Sequence, residues 1–341
     1  MTDKYRKIFY GTLRTLAKTG IALLVLFLLC RRCTPDLQKA FTGFYYPVLL
    51  PASACSLLAA WLSAMRWRDL ARMINIRLSG MQAFSLTMQG IFFSLVIPGG
   101  AIGGDMVKMA ALTGHVRSGS RTEGIFSIFM DRVLGMIALF LLAALLLISG
   151  KNEFSGLEIG GVSGLLAGTV IWWILLTLCV SGTAAGILLM FHRKAASWPG
   201  IKKLLDFADR KSSGKISRIL TAADSFQNHR KKLFFWIAVS IFLIHLLPAA
   251  AMVCLLSGIG VSVPAATVIR AVILGNIAGL LPLFPGGIGA RDVVTVALLT
   301  AGSCPVEEAT AAQLMATALM IIFNFTGSVF FILDRKSPEA E

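Results

Sequence analysis

Long apolar runs separated by short charged stretches dominate the chain. A helix needs about 20 apolar residues to cross roughly 30 Å of hydrocarbon at 1.5 Å per residue. Six runs qualify, near 13–30, 42–65, 122–149, 162–191, 233–256 and 309–333, each bounded on at least one side by Lys, Arg, Pro or Gly. All are expected to be helices, because backbone in lipid must satisfy its own hydrogen bonds. In the first run, Lys4, Arg6 and Lys7 precede the apolar stretch 21–30 as in the front half of a signal peptide. No small-x-small cleavage site follows and Arg31 and Arg32 come next, so it reads as a retained span.

Two further apolar stretches, 81–112 and 265–301, are each broken near the middle. The first reads Pro98-Gly99-Gly100-Ala101-Ile102-Gly103-Gly104-Asp105 and the second Pro285-Gly286-Gly287-Ile288-Gly289-Ala290-Arg291-Asp292. Both place an Asp seven positions after the Pro, followed by an apolar segment too short to span comfortably alone. Proline ends the incoming helix and glycine permits unusual backbone angles. Each stretch therefore reads as a helical hairpin that enters the membrane and returns to the side it came from. Such non-helical backbone is tolerated where it is buried in protein or lines a wet cavity. The expected fold is an all-α integral membrane protein, one multi-pass domain over 1–341, with about six spans and two broken hairpins.

Composition agrees, since 56% hydrophobic and 14% charged residues exclude an ordinary soluble chain. The formal net charge of +15 then needs a location. With a cytoplasmic N-terminus, the cytoplasmic segments hold 24 Lys and Arg against four outside, the bias that orients membrane proteins. The bias demands an even number of crossings per broken stretch, which two full crossings would satisfy as well as re-entrance. Three spans separate the two stretches, so the second hairpin opens on the face opposite the first. Inverted repeats with broken helices near the midplane are a transporter architecture, in which half-helix N-termini face anionic groups.

Ionisable residues at membrane depth cost about 3 kcal/mol or more in lipid and should face a cavity or a partner. The set is Asp105, Lys108, Asp131, Arg132, Arg270, Arg291 and Asp292. Asp105 and Lys108 share a helix face, and Asp131 or Arg132 is within reach of the hairpin charges. Two readings stay open: ion pairs and N-terminal caps that fix packing, or a substrate site. Lys108 and Arg291, cations beside a helix N-terminus, gain nothing from the dipole and favour an anion. The glycine backbone of the two motifs, Gly99, Gly100, Gly103, Gly104, Gly286, Gly287 and Gly289, completes the candidate binding site.

Other features weigh less. His245, three residues before Pro248, is read as bonding a carbonyl freed near a kink rather than relaying protons. Gly160, Gly164 and Gly168 permit close helix contact, within the monomer or in a homodimer. Cys30 and Cys33 form an isolated C-x-x-C. The loop 192–232 carries apolar residues at helical spacing among Lys and Arg, which fits amphipathic helices on an anionic leaflet rather than nucleic-acid binding. No P-loop, nucleophile elbow, zinc-protease motif or calcium loop is found, so no metal, cofactor or ATP-driven step is expected.

The two glycine-rich hairpins, with Lys108 three residues after Asp105, and Asp131-Arg132-Val133-Leu134-Gly135 between them, resemble the lysylphosphatidylglycerol synthase transmembrane region family, also called flippase-like. The resemblance covers nearly the whole chain. Lys108 stands where the family more often has Arg, and Asp292 where it more often has Glu; Lys keeps the charge but not the bidentate fork. In the synthase proper, aminoacyl transfer belongs to a soluble domain that follows the membrane region, and residues 334–341 are too few for one. The resemblance therefore implies translocation, between leaflets of the plasma membrane, of a lipid with an anionic phosphate headgroup. Lys108 and Arg291 would contact the phosphate, and Asp105, Asp131 or Asp292 would couple to protons. Both termini are expected in the cytoplasm. The alternatives are a membrane-embedded transferase using Asp105 or Asp292 as base, and a non-transporting membrane partner.

Overall fold

A computed structural model of the chain describes residues 42–97, 100–113, 121–149, 164–190, 209–210, 224, 226, 228–280 and 287–334. The expected span 13–30, the C-x-x-C pair, Gly99, Gly160, Gly286 and almost all of the loop 192–232 lie outside them. Every regular element among the described residues is helical.

In chain order, a 3₁₀ turn at Tyr46–Val48 leads into α1 (Leu49–Met73), followed by α2 (Gly80–Val96), α3 (Ala101–Thr113), α4 (Arg121–Ser149) and α5 (Gly164–Met190). Then come α6 (Arg230–Val239), a π turn (Ser240–Ile244), α7 (Leu246–Ile259), α8 (Ala265–Gly279), α9 (Ala290–Ala301) and α10 (Val306–Asp334). Five stretches are long and apolar enough to cross a membrane: Tyr46–Met73, Glu123–Ser149, Gly168–Met190, Arg230–Ile259 and Val306–Leu333. They coincide with the last five of the six expected spans.

α1 runs eight residues beyond the expected end at Met65. Trp67, Leu70 and Ala71, at helical spacing past the charge of Arg66, are buried against the bundle and carry the helix onward. The fourth span is a composite in which the π turn closes through a hydrogen bond from His245 N–H to the Ser240 carbonyl at 2.9 Å.

Both broken stretches are helical hairpins. In the second, Gly279 faces Gly287, Gly275 faces Arg291 and Thr295, and Thr267 faces Gly302, an antiparallel register. In the first, Gly90 of α2 lies against the Gly104 carbonyl and the Lys108 stem of α3, and a Cβ on Gly104 would run into the Gly90 carbonyl. Close approach of two backbones is what fixes glycine there. Gly100 and Gly287, each the second glycine after the proline, both have positive φ, 58° and 72°. The motifs then diverge: α3 starts directly after Gly100, whereas Gly289 also has positive φ, 89°, before α9 begins at Ala290.

The hairpins open toward opposite ends of α1. The mouth of the first lies at the C-terminal end, where Ile76 and Leu78 pack with Leu112. At the N-terminal end, the Tyr45 N–H donates to the Gly258 carbonyl at 2.8 Å, and Pro264 leads into α8 from that side. α10 joins the two, its Gln313 and Thr317 meeting α9 and its Gly327 lying on Met88 and Phe92 of α2. The main core packs α4 and α7 against α8, with Leu139, Leu147, Met252, Ala271 and Ile273. On α5, Gly182 and Gly186 receive Phe140 and Ile137 of α4, so these glycines serve contact within the chain.

Candidate functional site

The second hairpin presents Asp292 and Arg291 at the start of α9. Asp292, 2% exposed, accepts the Gly289 N–H on Oδ2 at 3.0 Å, so it caps its own helix. Its Oδ1 receives Gln313 Nε2 at 2.7 Å and Thr317 Oγ1 at 2.9 Å from α10. Arg291 donates to the same oxygen from Nη2 at 3.2 Å and Nε at 3.3 Å. These donors satisfy the hydrogen-bonding capacity of the buried carboxylate, as burial of a polar group requires.

The guanidinium of Arg291 is less completely engaged. Its Nη2 reaches Thr317 Oγ1 at 3.1 Å, whereas among the described residues Nη1 meets only the thioether of Met320, a weak acceptor, at 2.9 Å. Arg291 lines a cavity of about 280 Å³ between α1, α7, α8, α9 and α10, with Ile91 of α2 on its rim. Asn276, Thr295 and Gln313 add polar atoms, and Met252, Leu255 and Phe323 are among the apolar remainder. An apolar cleft with one cation and a few convergent polar groups is the usual form of a ligand site.

The first hairpin belongs to a different cluster. Asp105 pairs with Arg132 of α4 through two hydrogen bonds of 2.7 Å, Nε to Oδ2 and Nη2 to Oδ1. Asp131, one residue earlier, points to the other side of α4 and accepts from Arg66 Nε at 2.8 Å, while Arg66 Nη1 donates to Ser240 Oγ at 2.9 Å. Lys108 is 5% exposed, its ammonium 3.6 Å above the centroid of the Trp67 ring. Trp67 is held in turn by its indole N–H to Ser127 Oγ at 3.1 Å.

Of the residues expected at the site, Asp105, Lys108, Asp131 and Arg132 therefore gather around α3 and α4, and Arg291 and Asp292 around α9 and α10. Lys108 and Arg291 share no contact: one rests on Trp67 and the other lines the cavity. Gly100, Gly103 and Gly104 turn and open α3, and Gly287 and Gly289 do the same for α9. His245 Nε2 lies 3.1 Å from the Gly135 carbonyl, joining α7 to α4 across the helix boundary rather than bonding within its own helix.

Sequence reading missed Arg66, placed among the cytoplasmic charges because it ends the apolar run. The signal was the apolar spacing of Trp67, Leu70 and Ala71, which continues the helix past it. It also missed the buried polar stripe of α10, Gln313, Thr317 and Asn324, legible as polar residues four and seven apart on one face of an otherwise apolar span.

Spans, inverted broken hairpins and buried ion pairs define an all-α multi-pass membrane protein with an inverted-repeat core. The chain belongs to the lysylphosphatidylglycerol synthase transmembrane region family, which it matches over residues 15–327. It is similar to a UPF0104 membrane protein of Methanothermobacter thermautotrophicus, 22% identical over 263 residues, covering 73% of this chain and 74% of the relative.

Proposed function

We propose that this protein moves a lipid with an anionic phosphate headgroup, a phospholipid or a polyprenyl phosphate, between the leaflets of the plasma membrane. The observation that carries the reading is the cavity beside Arg291, apolar over most of its wall and bearing a guanidinium whose Nη1 has, among the described residues, only a thioether partner. A phosphate oxygen is a far better acceptor for that N–H, and the apolar wall suits the chain attached to a lipid headgroup. The inverted hairpins supply the pseudo-symmetry that alternating access uses. The excess of Lys and Arg on one side supports cytoplasmic termini and contact with an anionic leaflet. A transferase would need a carboxylate base, and Asp105 and Asp292 are both occupied by charge-assisted or multiple donors. Protein in unilamellar vesicles containing fluorescent phosphatidylglycerol provides the test. Arg291→Gln is expected to insert normally and to lose headgroup movement; movement at the wild-type rate would sink the assignment.

A further inference from the structure

The cavity beside Arg291 carries more polar capacity than a phosphate engages. Four neutral polar residues share its wall with Arg291: Ser56 of α1, Asn276 of α8, Thr295 of α9 and Gln313 of α10. The two hydroxyls are engaged by their own helices, Ser56 Oγ donating to the Ala52 carbonyl at 3.2 Å and Thr295 Oγ1 to the Arg291 carbonyl at 2.9 Å. The two amides are freer. Gln313 is 4% exposed, and its Nε2 donates to Asp292 Oδ1 at 2.7 Å. A carboxylate only accepts, so the amide nitrogen is the end that faces it and the carbonyl Oε1 is left over. Among the described residues nothing donates to that oxygen, and Asn276 makes no hydrogen bond through either end of its amide. Its neighbours along α8, Ile273, Leu274 and Ile277, are buried and apolar. Polar groups in such surroundings are ordinarily paired, and an unpaired one on a cavity wall points to a ligand.

A second observation concerns charge. Among the described residues Arg291 is the one ionisable group on the wall. Asp292, next in sequence, is not on it, and its oxygens already receive Gly289, Gln313, Thr317 and Arg291. An ammonium in this cavity would meet a guanidinium and no free carboxylate, so its charge would be buried without a counter-charge. A hydroxyl meets no such penalty. It can donate to Gln313 Oε1 while accepting from Asn276 Nδ2.

We infer that the cavity reads the headgroup beyond its phosphate: Asn276 and Gln313 hydrogen-bond the hydroxyls of an uncharged polyol esterified to that phosphate, and headgroups ending in an amine are rejected. The inference rests on the phosphate lying at Arg291, as proposed above, and adds the specificity of the site. A phosphodiester bearing a neutral polyol is chemistry common to phosphatidylglycerol and to prenyl phosphosugars.

The test is calorimetric titration of the purified full chain in detergent with short-chain lipids. Dihexanoyl phosphatidylglycerol and dihexanoyl phosphatidylpropanol share charge, tails and headgroup carbons and differ in the hydroxyls; dihexanoyl phosphatidylethanolamine carries the amine. Wild type is expected to bind phosphatidylglycerol about tenfold more tightly than phosphatidylpropanol, the worth of about one well-made hydrogen bond, and phosphatidylethanolamine more weakly than either. Equal affinities for the first two overturn the inference without any variant, as does phosphatidylethanolamine binding as tightly as phosphatidylglycerol. Asn276→Leu is expected to bring phosphatidylglycerol down to the level of phosphatidylpropanol and to leave the latter unchanged. If Asn276→Leu damages packing and binds neither, Asn276→Ala decides: convergence of the two affinities is expected, and a surviving tenfold preference overturns the assignment. A short-chain prenyl phosphoglucose separates the sources. Binding tighter than phosphatidylglycerol that weakens in Asn276→Ala assigns the phosphosugar, weaker binding assigns the phospholipid, and binding of both that is indifferent to Asn276 overturns the inference. Equal affinities with headgroup movement intact in vesicles sink this inference alone; selectivity without movement sinks the transport reading alone.

Discussion

Asp131 and Arg66 meet at 2.8 Å with 9% and 6% of their side chains exposed, and Arg66 passes the contact on to Ser240 at 2.9 Å. Three spans, α4, α1 and the π turn between α6 and α7, are thereby fastened at one polar node within an apolar bundle. The third side of the node is closed by Gly135, where an added Cβ would lie 3.2 Å from the guanidinium.

Removing one member of this pair should cost far more than removing both. Asp131→Asn leaves Arg66 charged and buried without its carboxylate, a change that costs about 3–5 kcal/mol in comparable pairs. Arg66→Met combined with Asp131→Leu removes both charges and is expected to recover most of that loss. Thermal unfolding in detergent checks the prediction, and a double variant no more stable than Asp131→Asn would show that the node does more than pair charge.

The first hairpin depends on backbone contact between Gly104 and Gly90. Gly104→Ala forces the two arms apart, since its Cβ would meet the Gly90 carbonyl, and overpacking of this kind costs about 1–3 kcal/mol. Gly80→Ala, where the nearest atoms are flexible side chains of Arg68 and Met65 at 3.4 Å and beyond, is expected to stay within about 0.5 kcal/mol of wild type. Equal losses at the two positions, read by unfolding temperature and by protease sensitivity near Val96, would remove the close approach as the reason for glycine.

Much of this was visible beforehand because membrane folds are legible in length and composition. Five spans and both hairpins lie where apolar runs, Pro and Gly placed them, since the bilayer sets span length and the Pro-Gly-Gly turn breaks a helix. The partners were not visible. Nothing local connects Asp105 to Arg132, 27 residues away, or Asp131 to Arg66, 65 residues away; these pairs follow from which helix faces meet. Asp131 and Arg132, adjacent in sequence, meet different partners, Arg66 and Asp105, because neighbours on a helix point about 100° apart. The separation of Lys108 from Arg291 has the same origin, for matching motifs do not reveal that one cation rests on Trp67 and the other lines a cavity.

Thr317 should control Arg291 through position rather than charge. It donates to Asp292 at 2.9 Å and accepts from Arg291 at 3.1 Å. Thr317→Val keeps the shape and deletes both bonds, leaving a buried carboxylate short of a donor at a cost of about 1–3 kcal/mol. Headgroup movement in vesicles is expected to fall while Thr317→Ser retains it. Movement retained in Thr317→Val and lost in Thr317→Ser would point to the methyl group, and therefore to packing, instead.

The opposed mouths of the hairpins yield a prediction about sidedness that needs no knowledge of substrate. Ser79, the N-cap of α2, receives the Gln82 N–H at 3.1 Å and stands exposed at the entrance of the first hairpin. Ser262 is exposed just before α8, at the entrance of the second. In a background stripped of the six native cysteines, Ser79→Cys and Ser262→Cys are expected to react with a membrane-impermeant thiol reagent from opposite faces of sealed vesicles. On the proposed topology the reagent is expected to reach Ser79→Cys from the cytoplasmic face. Labelling of both from one face would mean that one broken stretch crosses the bilayer, which would move α10 and the Arg291 cavity to the opposite topology and remove the inverted symmetry on which alternating access rests.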